Sequence, residues 1–102
     1  MTIRALLLLL ALSGPAWAGE AVVNIDNFTF SPAQITVPAG TRVTWTNRDD
    51  IPHVVVAADP TQAVRSPPLD TDDSFAFTFD KPGTYRYFCS LHPRMQGTVT
   101  VR

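Results

Sequence analysis

Apolar and polar residues alternate in short runs along most of this chain, and prolines and glycines separate the runs. Val43 and Trp45 alternate with polar neighbours, and the run Phe75, Phe77 and Phe79 repeats the pattern further on. Successive side chains of a β-strand point to opposite faces, so each run can bury one face. Downstream of residue 18 no stretch follows the 3.6-residue period of an amphipathic helix. The pattern therefore predicts an all-β fold.

The segments between the runs contain the residue types that tight turns require. Pro38 and Gly40 occupy the second and fourth positions of one predicted turn, and Lys81-Pro82-Gly83 suits a type II turn. About seven to eight short strands joined in this way predict two packed sheets, as a β-sandwich or flattened barrel. Residues 58–73 contain three prolines and are predicted to form a long crossover between the sheets.

Residues 1–18 have the composition of a secretory signal peptide. Arg4 precedes an unbroken apolar run over 5–12, and Ala16-Trp17-Ala18 has the small-x-small pattern of a cleavage site. The apolar run is much shorter than the ~20 residues that cross a bilayer. We therefore predict that residues 1–18 are removed, that the protein is exported to the periplasm without a membrane span, and that residues 19–102 form one domain.

The remaining domain is small and has a single cysteine, Cys89. Removal of 18 of the 102 residues leaves 84, a size at which an exported domain often depends on disulfides or a bound metal. One cysteine cannot form an internal disulfide. Cys89 is therefore buried and inert, paired with another chain, reactive, or a metal ligand.

The charge of the domain excludes one class of partner. Without Arg4 the chain has seven basic and nine acidic residues, a formal charge of −2. Its lysines and arginines form no cluster that could follow a phosphate backbone. We expect no nucleic-acid partner.

Four residues with metal-binding side chains have a distinctive arrangement. Cys89, His92 and Met95 are spaced at three-residue intervals, and His53 follows Pro52 at the start of an apolar run. A compact loop can turn the first three toward one point, and a sandwich can bring the start of the His53 run beside that loop. Two imidazoles, one thiolate and one thioether suit copper better than a hard cation, and the set is typical of blue-copper electron-transfer sites.

Other chemistries fit the sequence less well. A structural zinc site normally has four cysteine, histidine or carboxylate ligands, and an iron–sulfur cluster needs more cysteines. A Cys–His nucleophile would make the protein an enzyme, but no glycine cluster for an oxyanion hole and no third orienting residue are present. We predict that the protein is not an enzyme. Copper buffering or delivery remains an alternative to electron transfer, because the same ligands would serve.

The chain resembles the cupredoxins, the type 1 blue copper proteins, and among them the amicyanins. The matching segments are Phe30-Ser31-Pro32, Pro38-Ala39-Gly40, Val43-Thr44-Trp45-Thr46-Asn47, Pro52-His53, Gly83-Thr84-Tyr85 and the Cys-x-x-His-x-x-Met loop. The short His-to-Met interval is similar to that of amicyanins, whereas plastocyanins and pseudoazurins have a longer one.

The resemblance implies a Greek-key fold around one type 1 copper ion. It implies that His53, Cys89 and His92 are the equatorial ligands and that Met95 is the axial ligand. It also implies a monomer that docks transiently with a redox protein as donor and another as acceptor, and passes single electrons between them.

Residues near the ligands are also given predicted roles. A backbone N–H at Val54 can donate to the Cys89 sulfur. Asn47 resembles the side-chain clasp that this family places on its ligand loop. Phe28 and Trp45 are predicted to lie in the core with the other large aromatic residues.

A docking surface is predicted around His92, whose ring edge is the expected electron port. Leu91, Pro93 and Arg94 adjoin it in the sequence. Leu91 stands where the family commonly has proline, Arg94 replaces an apolar residue, and Val54 stands where many relatives have asparagine. The resemblance therefore predicts a metal site but not a particular partner.

Overall fold

The computed structural model describes residues 19–102, so the predicted signal peptide at 1–18 lies outside the described residues. These residues form eight strands: β1 (Glu20–Asp26), β2 (Thr29–Ser31), β3 (Gln34–Val37), β4 (Thr41–Asn47), β5 (Val56–Ala57), β6 (Ser74–Phe79), β7 (Gly83–Cys89) and β8 (His92–Val101). Within 19–102 we find no helix of the length and apolar character needed to span a membrane.

The strands form two four-stranded sheets. One has the order β2-β1-β4-β6 and the other the order β3-β8-β7-β5. β1 pairs with β4 and β3 with β8 in parallel, whereas the other pairs are antiparallel. Parallel neighbours need long connections, so the chain crosses between the sheets repeatedly. The predicted all-β sandwich is confirmed.

The two sheets enclose one apolar core, in which Trp45 is the largest fully buried side chain. Its ring centroid lies 5.2 Å from that of Tyr87 at an interplanar angle of 82°, the edge-to-face arrangement that aromatic pairs favour. The Tyr87 ring covers Gly97, its partner across the β7–β8 ladder, where a Cβ atom would collide with the ring. Burial raises the pKa of the Tyr87 hydroxyl to about 12. The strand that ends in Cys89 is thus anchored in the core.

Residues 58–73 form the irregular crossover that the prolines predict. Val64 and Leu69 are buried, and single bridges connect this segment with the His53–Ala57 region. Asp72 has a positive φ of 70° in the turn that precedes β6. The crossover therefore covers one flank of the core and restrains the segment that contains His53.

Two local predictions were wrong. Phe28 is not a core residue, since 49% of it is exposed. The loop predicted to contain Cys89, His92 and Met95 is shorter in the structure, where the turn ends at Leu91 and β8 begins at His92. The reason is that a two-residue turn suffices to reverse the chain. Pro93 is tolerated because residues 93–95 pair with neither β7 nor β3, so its missing N–H interrupts no ladder hydrogen bond.

Candidate metal centre

The β7–β8 hairpin places three of the four predicted ligands. Cys89 is the last residue of β7 and pairs across the ladder with His92, the first residue of β8. A register shift between Phe88 and Cys89 interrupts the regular pairing at this point. Cys89 and Met95 are buried, and His92 is half-buried. The hairpin therefore directs a sulfur, an imidazole and a thioether toward the end of the sandwich.

The fourth predicted ligand, His53, comes from the connection between β4 and β5. Its backbone N–H donates to the carbonyl of Leu69 at 3.1 Å, and the N–H of Leu69 donates back at 2.8 Å. The side chain of His53 is 0% exposed. An imidazole in such a position needs polar partners, because burial of a polar group without them is costly.

The ligand atoms of the two histidines and the cysteine converge on one point. The Sγ atom of Cys89 lies 3.7 Å from Nδ1 of His53 and 3.7 Å from Nδ1 of His92, and all three atoms lie within 4.8 Å of one another. Bonds of ~2.3 Å to sulfur and ~2.0 Å to nitrogen, set about 120° apart on one first-row ion, would separate the two ligand atoms by about 3.7 Å. The observed spacing fits a trigonal metal site.

The donor set identifies the metal. His53, Cys89, His92 and Met95 are arranged as a type 1 copper site, and the copper prediction is confirmed. Imidazole and thiolate donors with a weak thioether favour copper over hard cations, which prefer oxygen ligands.

The backbone of Val54 donates to the cysteine sulfur, as the sequence predicts. Its N–H lies 3.4 Å from Sγ of Cys89. Hydrogen bonds to a ligating sulfur tune the basicity of that sulfur and hence the potential of the metal. Because the donor is a main-chain group, the replacement of the family's asparagine by Val54 does not remove it.

Asn47 forms a clasp, but on a different segment from the predicted one. Its Nδ2 donates to the carbonyls of Ile51 at 2.9 Å and Leu69 at 2.8 Å, and its Oδ1 accepts from the N–H of Asp49 at 2.9 Å. Asn47 is 0% exposed. These bonds fix the approach to His53 and the crossover, whereas the family resemblance predicts a clasp on the Cys89–Met95 loop.

Asp49 is a further residue at the site that the sequence analysis missed. One carboxylate oxygen lies 2.8 Å from Nε2 of His53 and accepts the N–H of Phe28 at 2.9 Å, while the other accepts the N–H of Asn27 at 2.6 Å. Burial raises the pKa of the Asp49 carboxyl, but the two backbone donors and His53 outweigh it, so the pKa is lowered. A carboxylate on the second nitrogen of a ligating histidine fixes the ring and its tautomer. An acidic residue four positions before His53 is the only sequence signal of this contact.

The comparisons with known proteins agree with this geometry. A family model described as a cupredoxin-like domain matches residues 1–101. The chain is a cupredoxin. Amicyanin-alpha of Methylorubrum extorquens is 37% identical to it over 87 residues, which cover 82% of this chain and 73% of that relative. Amicyanin of Paracoccus denitrificans is 34% identical over 86 residues, covering 81% of this chain and 66% of that relative.

A solved structure shows the same fold. A purple cupredoxin from Nitrosopumilus maritimus matches with a TM-score of 0.75 and 39% identity, over 80% of this chain and 99% of that chain. The predicted resemblance to cupredoxins, and to amicyanins among them, is confirmed.

The residues predicted for docking lie on the surface of this cupredoxin beside His92. Leu91 is 53% exposed, and Pro93 and Arg94 are exposed as well. Together with Phe28 and His92 they line a shallow, mostly apolar depression at the ligand end of the sandwich.

Proposed function

We propose that this cupredoxin carries single electrons between a donor and an acceptor redox protein in the periplasm. The observation that supports this best is the convergence of His53, Cys89 and His92 beside a buried Met95. Four protein ligands leave no open position for a substrate, unlike catalytic metal sites. Bound copper supplies a Cu(II)/Cu(I) couple at this point.

The surroundings of the ligands suit that role. Cys89 and His53 are fully buried, so water is excluded from the thiolate and from one imidazole. His53 is held by Asp49 and by backbone bonds to Leu69, and the Val54 N–H is directed at the sulfur. Ligands fixed in this way move little when the charge of the metal changes, so little reorganisation opposes electron transfer.

The exposed part of His92 is the proposed electron port, and the depression around it is the proposed docking surface. Leu91 and Pro93 offer an apolar contact, and Arg94 adds one positive charge at its rim. Transient redox complexes use small interfaces. Arg94 would favour a partner with acidic residues around its own port. We propose that the carrier acts as a monomer.

The first experiment tests the carrier role against copper buffering or delivery. Residues 19–102 are titrated with Cu(II), and absorption and voltammetry are recorded. An intense thiolate-to-copper absorption with a reversible one-electron wave supports the carrier. Weak absorption and ready loss of copper to a competing chelator would favour buffering or delivery.

Cys89→Ser tests the ligand that dominates the spectrum. The intense absorption should disappear, because a serine oxygen cannot replace a soft thiolate. Ser90→Ala is the matched control at an exposed neighbour and should retain the wild-type spectrum. Full colour in the Cys89→Ser variant would contradict the assignment of Cys89.

Export is tested separately with the complete chain. Expression in a Gram-negative host should give periplasmic protein whose first residue is Gly19. Protein retained in the cytoplasm with residues 1–18 intact would contradict the periplasmic location.

A further inference from the structure

The turn between β1 and β2 has an unusual residue at its tip. Asn27 and Phe28 are its two central residues, with φ values of 52° and 57°. Two successive positive φ angles in a two-residue hairpin are typical of a type I′ turn, in which asparagine followed by glycine is favoured. Asn27 fits its position, but a bulky residue rarely adopts this conformation. Phe28 therefore occupies a strained position that glycine would occupy without strain.

The strained turn is held by the same carboxylate that holds a copper ligand. Asp49 accepts the backbone N–H groups of Asn27 at 2.6 Å and Phe28 at 2.9 Å, and one of its oxygens lies 2.8 Å from Nε2 of His53. The side chain of Asp49 is only 11% exposed. Its contact with His53 is partly buried, whereas its two bonds to the turn lie at the surface. The position of the turn is thus coupled directly to the metal site.

The Phe28 ring contacts both histidine ligands. Its centroid lies 5.6 Å from that of His53 at 88° and 5.0 Å from that of His92 at 89°. Both are edge-to-face contacts within the range in which ring pairs attract each other. The two imidazoles lie 5.1 Å apart, so the three rings form one cluster.

The two histidines differ in how much they depend on this cluster. His53 has the carboxylate of Asp49 and is fully buried. For His92, in the part of the chain that the structure describes, the side-chain polar contacts are limited to the sulfur of Cys89. The Phe28 ring is therefore a principal restraint on the rotation of His92 away from the ligand position.

We propose that Phe28 is a positioning residue that holds His92 at the copper site, and that the strained turn pinned by Asp49 exists to place its ring there. An exposed phenylalanine retained only for docking would not need a strained backbone or a perpendicular contact with each imidazole. Backbone strain of this kind is maintained where the surrounding structure gives it a use. The inference rests on the copper site but not on the electron-transfer role.

Phe28→Gly is the direct test, because it removes the ring and relaxes the turn together. The Cu(I)-loaded variant should lose copper to a bathocuproine chelator about three- to tenfold faster than wild type, the range expected for one lost aromatic pair. Its Cu(II) electron paramagnetic resonance spectrum should broaden. The free energy of unfolding of the metal-free variant should not fall, because glycine suits this turn. If Phe28 served folding alone, the free energy of unfolding would fall and the rate of copper loss would stay at the wild-type value.

Three further variants separate the ring from its bulk. Phe28→Tyr and Phe28→Trp keep a ring and should restore slow copper loss, whereas Phe28→Leu keeps apolar bulk and should resemble Phe28→Gly. Val22→Ala is the matched control, since Val22 is an exposed apolar residue of β1 with 56% exposure. Phe28→Leu also decides the question if the glycine variant fails to fold.

Nuclear magnetic resonance of the metal-free protein gives a readout that needs no copper. Side-chain relaxation of His92 should show greater ring mobility in Phe28→Gly and Phe28→Leu than in wild type and Val22→Ala. Wild-type rates of copper loss and wild-type His92 mobility in both variants would overturn the proposal. If voltammetry shows no reversible one-electron wave but the variants still differ from wild type in copper loss and His92 mobility, the proposed function is overturned. The positioning role of Phe28 is then still supported.

Discussion

The two segments that supply the copper ligands are held in different ways. His53 is 0% exposed, and its segment is fixed by backbone bonds to Leu69 and by the side chains of Asn47 and Asp49. In the β7–β8 hairpin, Leu91 is 53% exposed and His92 lies directly after a two-residue turn. One histidine is therefore positioned by the fold around it, whereas the other is positioned by a short local turn and by the Phe28 ring.

This difference shows which half of the site depends on the metal. The contacts around His53 are hydrogen bonds and apolar packing, which do not involve the metal. The restraint on His92 includes fewer such contacts, so ligation itself adds a larger share of its order. Copper should therefore stabilise the hairpin more than the His53 segment.

The largest expected effect is that of copper on stability. A ligand that binds only the folded state adds about 4 kcal/mol at a concentration a thousandfold above its dissociation constant. Hydrogen exchange should show the gain in protection concentrated at residues 90–95, with a smaller change at His53 and Leu69. Equal gains in both segments, or coincident melting curves of copper-loaded and metal-free protein, would contradict the comparison.

The second prediction tests the His53 side through Asn47. Asn47→Ala removes three hydrogen bonds: the Ile51 carbonyl and the Asp49 N–H lose their Asn47 partner, and the Leu69 carbonyl keeps only the His53 N–H. This loss should lower the free energy of unfolding of the metal-free protein by about 3 kcal/mol. Urea denaturation followed by tryptophan fluorescence gives the value.

A matched variant on the hairpin calibrates this loss. The Gln96 side chain donates to the carbonyl of Pro93 at 3.3 Å and is exposed, so Gln96→Ala should change stability by less than about 0.5 kcal/mol. Losses of similar size in the two variants would show that the two segments are held equally.

The third prediction concerns pH and Asp49. Its folded pKa is lowered by the N–H donors of Phe28 and Asn27 and by His53, against the opposing effect of burial. A lowered folded pKa contributes stability above the ordinary value of 3.8, and that stability is lost as pH falls through the folded pKa. Metal-free wild type should therefore lose stability below about pH 4 more steeply than Asp49→Asn.

The same variant has an expected effect at neutral pH. At neutral pH, Asp49→Asn should lower the free energy of unfolding of the metal-free protein by about 2 kcal/mol, because the amide can accept only one of the two backbone N–H groups. The difference in free energy of unfolding between metal-free wild type and Asp49→Asn should shrink as pH falls from 5 to 3. A constant difference over that range would show that the carboxylate charge contributes nothing.

The difference between the two ligand segments also explains which parts of the structure could be predicted from the sequence. Cys89, His92 and Met95 lie in one short segment, so their spacing alone predicts a common site. Alternation and turn residues likewise predict the strands, because each depends on neighbours along the chain. These are the parts of the molecule in which local sequence determines local structure.

The contacts around His53 could not be predicted in this way. Asn47 bonds to Leu69, which is 22 residues away, and Asp49 bonds to the N–H of Phe28, which is 21 residues away. Neither contact leaves a periodic or motif signal. A large aromatic residue is usually buried, so the sequence predicts Phe28 in the core. Its position in a tight turn instead exposes half of it and directs its ring at the two imidazoles.

The smallest expected effect concerns the surface of the β7–β8 hairpin around His92, the less restrained of the two ligand segments. If partners dock beside His92, the charge of Arg94 should attract an acidic rim, and Arg94→Glu should slow second-order electron transfer by about two- to threefold at low ionic strength. The deficit should shrink with added salt, because screening shortens the reach of the charge.

Arg102→Glu is the matched control for this prediction. It makes the same change of net charge just after the far end of β8, eight residues or about 26 Å along the strand from Arg94. Stopped-flow measurement with the physiological partner should show a normal rate for Arg102→Glu and unchanged visible spectra for both. Equal slowing in the two variants would mean that net charge alone sets the rate, and unchanged rates in both would move the docking surface away from Arg94.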